Sequence, residues 1–73
     1  MTKAAELFQL SADAGNIHAQ YNLGVLYNHG KGVERNMAKA AELFQLAAAA
    51  GFAPAQHNLG VLHETGEGVE RDI

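Results

Sequence analysis

Cysteine and tryptophan are both missing from the 73 residues, and Pro54 is the lone proline. Without cysteine the chain has no disulfides and no thiolate metal ligands, which suits a reducing compartment without requiring one. No apolar run approaches the roughly 20 residues of a membrane span, and Met1 leads straight into a helix-like pattern with no basic-then-apolar leader. These absences favour a soluble chain and lean toward the cytoplasm, while leaving the compartment open. Blocks of like charge are also lacking: the formal net charge of −3 is spread along the chain. That excludes the basic footprint of a nucleic-acid binder and the polybasic patch of a membrane-surface protein.

What the chain does have is small apolar residues. Hydrophobic types make up 48% of it, and alanine supplies much of that share. The composition suits one small helix-rich domain over residues 1–73 with a tight, thin core.

The sequence is also a tandem repeat. Gly30-Lys31-Gly32-Val33-Glu34-Arg35-Asn36 returns 36 positions later as Gly66-Glu67-Gly68-Val69-Glu70-Arg71-Asp72. Laying residues 3–37 over 39–73 gives 23 identities in 35 pairs, including Lys3 to Leu10 unchanged as Lys39 to Leu46 and Asn22 to Leu26 unchanged as Asn58 to Leu62. A fixed period of this length marks units that bury their apolar faces against neighbours. Read from the first residue, the units are 1–36 and 37–72.

Each unit predicts two helices. Residues 3–14 and 39–50 form one type, with Ala40, Leu43, Phe44, Ala47 and Ala48 at the spacing of a single helix face and Lys39, Glu42 and Gln45 on the wet side. Gly15 and Gly51 are placed to end these helices in the left-handed conformation. Residues 18–29 and 54–65 form the second type, with the stripe Ala19, Leu23, Leu26 and Tyr27 copied as Ala55, Leu59, Leu62 and His63. Pro54 suits a first helical turn. Gly24 and Gly60 stand in mid-helix, where glycine costs about 1 kcal/mol against alanine, and predict close approach of a neighbouring helix backbone. The seven-residue stretch reads as helix stop, turn and helix start. Val33 and Val69 plug back toward the helices, and Asn36 and Asp72 cap the next one.

These residues resemble the Sel-one-like repeats, relatives of the tetratricopeptide repeats. The resemblance covers essentially the whole chain. It is carried by Ala19 with Leu23-Gly24 and Tyr27, the turn Gly30-x-Gly32-Val33-x-x-Asn36, Lys39-Ala40 with Leu43-Phe44, Ala47-Ala48 and the closing Gly51. Leu7 and Leu43 stand where the family commonly has tryptophan, and His63 replaces the tyrosine that Tyr27 supplies. Leu10 and Leu46 fall on a face expected to be wet, which weighs against ordinary monomeric solubility. The resemblance implies an all-α fold: four antiparallel helices, about two repeats, in a right-handed superhelix whose concave face binds other proteins or peptides. Carried over by register from Asn22-Leu23-Gly24, the concave-face positions are His18, Tyr21, Val25 and Asn28, and in the second copy Pro54, His57, Val61 and Glu64. Asn22 and Asn58 border this surface as candidate clamps on a peptide backbone. Tyr21 becomes His57 and Asn28 becomes Glu64 while the flanking Asn-Leu-Gly-Val-Leu stays fixed, so the display differs on a constant scaffold. The competing reading is that these are solvated positions free to drift.

Other constellations fail on spacing. His57 and His63 are six apart with Glu64 after the second, where a zinc-protease helix needs histidines at i and i+4 with a glutamate between. Gly24 and Gly30-Lys31 miss the phosphate-loop spacing by one residue, Gly32 stands where that loop needs Ser or Thr, and the second copy has Glu67 in the lysine's place. Ser11 is the lone serine and is alanine in the other copy. The expectation is a non-catalytic module with no cofactor and no metal, whose partner is a protein or peptide rather than nucleic acid or membrane. An alternative is a designed or excised repeat fragment whose main activity is folding and self-assembly. Met1, Met37 and Ile73 occupy the same point of the repeat, so the last helix of one copy matches the first helix of another. Head-to-tail association or a helix-swapped dimer follows as the expected form of that alternative.

Overall fold

Thr2, Asn16 and Asn36 each stand just ahead of a helical run, with a side-chain oxygen free to take an amide of the first turn. In the computed structural model, which describes residues 1–67, all three do so. Thr2 accepts from the Ala5 amide at 3.2 Å, Asn16 from Ala19 at 2.9 Å and Asn36 from Lys39 at 3.0 Å. They open α1 (Lys3–Asp13), α2 (Ile17–His29) and α3 (Met37–Ala49). The fourth helix, α4 (Ala53–Thr65), follows Phe52, which makes no side-chain cap; Pro54 lies in its first turn as expected. The starts of α2, α3 and α4 fall one or two residues earlier than the periodicity alone indicated.

The stops obey the glycines. Gly30 and Gly66 close α2 and α4 in the left-handed conformation, with φ of 68° and 77°. α1 and α3 end one residue sooner than expected, at Asp13 and Ala49, because Ala14 and Ala50 serve as C-caps while Gly15 and Gly51 take the positive φ of the reversal. In each short reversal a glutamine adds a tie: Gln20 Nε2 donates to the Ala12 carbonyl at 3.4 Å and Gln56 Nε2 to Ala48 at 3.1 Å.

Among the described residues the fold is four helices and no strand, packed in succession, α1 on α2, α2 on α3 and α3 on α4. The stack is a slab of 38 × 25 × 14 Å. α3 is its keel. Ala40, Ala41, Leu43, Phe44 and Ala47 are all buried, and Phe44 and Leu23 are the largest fully buried side chains. Neighbouring residues on α3 serve different neighbours: Leu43 joins Ala12, Ala19 and Leu23, whereas Phe44 joins Ala55 and Leu62. Lys39, Glu42 and Gln45 are exposed, as the helix pattern predicts.

The two mid-helix glycines part company. A Cβ on Gly24 would lie 2.8 Å from Cε1 of Phe44 and 3.3 Å from Cβ of Leu43, so a neighbouring helix does press on it, through a ring and a side chain instead of the backbone expected. At Gly60 a Cβ would meet nothing within 4 Å. No described helix follows α4 to fill that place. Val33 is half-buried, in keeping with a plug; Val69 and Asp72 lie outside the described residues.

Candidate protein-binding groove

Because α2 and α4 both pack on α3, their like-facing sides flank it, and a groove of about 550 Å³ opens between them. Met37 and Phe44 of α3 supply its floor, Asn28 and His29 one wall, and Asn58, Val61, Leu62 and Thr65 the other. Arg35 and Glu67 complete its border, joined by an ion pair at 3.2 Å. Arg35 also donates from Nε to the Asn28 carbonyl at 2.9 Å, satisfying one of the carbonyls left over at the end of α2. The result is an open trough bordered mainly by polar atoms, with Met37 and Val61 as its accessible apolar contacts, two side-chain amides on its walls and a neutralised charge pair at its edge.

The residues carried over by register divide into three groups. Asn28, Asn58 and Val61 line the groove, with Val61 45% exposed. Tyr21 and Val25 instead pack on the core cluster around Phe44. Tyr21 stacks edge-on with Phe52 at 5.2 Å and takes a 3.4 Å hydrogen bond from the Asn58 amide, so that amide is partly engaged within the chain. His18 is exposed and sets its ring against Phe52 at 4.9 Å. The third group, Asn22, His57 and Glu64, with Pro54, is exposed and does not line the groove.

Several lining residues escaped the register argument. Phe44 belongs to the helix face assigned to packing, Met37 precedes the start predicted for that helix, and Arg35 and Glu67 belong to the turns. The contrast between Lys31 and Glu67 in turns that match at five of seven positions was the available signal: the carboxylate in the second turn reaches Arg35 of the first. Among the described residues, no group of three or more His, Asp or Glu is placed to hold a metal ion, and no helix is long and apolar enough to cross a membrane.

A family model for the Sel1 repeat matches residues 1–16, 17–52 and 53–73, the whole chain. The chain belongs to the Sel1 repeat family. In the family's frame the middle Sel1 segment holds α2 and α3 together, while α1 and α4 fall in the segments to either side. Sel1 repeats are protein-interaction modules of a non-catalytic type. No curated protein matches the chain.

Proposed function

We propose that the chain binds a protein or peptide segment in the trough between α2 and α4, over Met37 and Phe44 of α3. The observation that carries this reading is the composition of the trough: Asn28 and Asn58 offer amides to a backbone, the latter shared with the Tyr21 hydroxyl, while Met37 and Val61 offer apolar contact. Polar groups beside a few apolar contacts orient a ligand without a large charge requirement. Of the register positions, Asn28, Asn58 and Val61 then carry contact, Tyr21 and Val25 support the floor, and His18, Asn22, His57 and Glu64 are peripheral. The test begins with a peptide selected against the chain from a random library. Val61→Asp and Asn28→Ala should each weaken its binding, by about tenfold for the central apolar contact, whereas His57→Ala should not. Equal binding by all three variants would remove the groove from consideration.

A second reading, self-association, rests on a different observation. Leu7, Leu10 and Leu46 are 55%, 67% and 56% exposed, large apolar side chains that a second copy could cover. Sedimentation velocity across a range of concentrations tests it, with association expected as concentration rises.

A further inference from the structure

The packing of α2 on α3 is a template for a contact that the described residues do not make among themselves. α4 repeats Asn22 to Leu26 of α2 as Asn58 to Leu62, and α1 carries the same Lys-Ala-Ala-Glu-Leu-Phe-Gln-Leu run as α3. In the template, Leu43 and Phe44 press on Gly24. Among the described residues the matching parts of α4 and α1 are open: Gly60 has nothing within 4 Å of its Cβ position, and Leu7 is 55% exposed.

We infer that α4 receives α1 of a second copy of this chain, head to tail, with Leu7 and Phe8 of the second copy seated on Gly60 as Leu43 and Phe44 are seated on Gly24. This rests on the self-association reading above and specifies its register. A polar detail belongs to the same register. Within the chain, the Asn58 amide donates to the Tyr21 hydroxyl across α2 and α4. One repeat along, the corresponding residues are His57 of one copy and Asn22 of the next, both exposed here. The pairing therefore gives a partner to two positions that the groove leaves out. A contact between unlike faces propagates into rings or filaments and does not stop at a twofold dimer.

The absence of cysteine makes the register directly testable. The template separation from the Gly24 Cβ position to Leu43 Cβ is 3.3 Å, close to the roughly 3.5–4.5 Å that a disulfide spans between Cβ atoms. Separate Leu7→Cys and Gly60→Cys chains, mixed in equal amounts under oxidised glutathione, should yield chiefly the mixed disulfide-linked dimer. Gly60→Leu supplies the complementary measurement. It fills the notch while replacing a poor helix former by a good one, so helical signal should hold or rise while association weakens by at least about tenfold. Leu7→Lys should do the same from the other side, and mixing it with Gly60→Leu should restore a dimer that grows no further. Association that persists in Gly60→Leu, or cross-links dominated by like pairs, overturns the head-to-tail register but leaves self-association standing. An unaltered chain that stays monomeric at millimolar concentration overturns both.

Discussion

α1 and α3 share eight consecutive residues and bury them differently. Leu43 is 7% exposed and Leu7 55%, Phe44 is fully buried and Phe8 half-buried, Ala40 is buried and Ala4 exposed. α3 has α2 on one side and α4 on the other; α1 packs chiefly on α2 among the described helices. Burial in this fold is thus conferred by stacking neighbours and cannot be read from a helix in isolation, as expected of a quasi-one-dimensional architecture.

The contrast predicts unequal costs for equal substitutions. Phe44→Ala removes the largest buried side chain of the keel and should cost about 3–5 kcal/mol, a large share of the stability available to a chain of this size. Phe8→Ala should cost well under half of that. Next in size is the leucine pair: Leu43→Ala is expected to cost about 2–4 kcal/mol, while Leu7→Ala stays within about 0.5 kcal/mol. Urea denaturation at a concentration where the chain is monomeric compares all four. If the paired losses come out equal, the view that neighbours decide burial is wrong.

The glycine pair sharpens the comparison, because here the sign should reverse. Gly24→Ala places a methyl 2.8 Å from Cε1 of a fully buried ring, which must shift to admit it, and overpacking of this kind costs about 1–3 kcal/mol. Part of that is offset by better helix propensity. Gly60→Ala meets no such obstacle and should stabilise α4 by about 1 kcal/mol. Thermal melts of the two variants, at the same low concentration, give the two signs directly.

Most of the fold was legible because helix periodicity, caps and glycine stops agree at nearly every boundary. The fine ends were less so: whether Gly15 or Ala14 closes α1 depends on how the reversal distributes its dihedral angles, which residue type alone does not decide. The groove was legible in part. Asn28, Asn58 and Val61 followed from register on the helices that face it, but Met37 lies ahead of the helix predicted over 39–50 and entered only as a repeat boundary, while Phe44 was counted as packing and is fully buried beneath the trough. Gly60 shows the limit most clearly. Its sequence surroundings match those of Gly24, and only the tertiary arrangement reveals that one notch is filled and the other empty.

The smallest expected effect separates the two turns. Glu67 bonds to Arg35, but both side chains are about half exposed, at 50% and 57%, and solvent reduces such a pair to at most about 1 kcal/mol. Glu67→Gln should therefore cost a few tenths of a kcal/mol, a loss that fades in high salt as screening removes the attraction. Arg35→Ala should cost more and keep most of its effect in salt, since it also abandons the 2.9 Å hydrogen bond to the Asn28 carbonyl at the end of α2. Denaturation midpoints of both variants at low and high salt separate the two contributions. Equal losses at low salt that vanish together at high salt would mean that Arg35 acts through the ion pair alone, and its role in closing α2 would have to be given up.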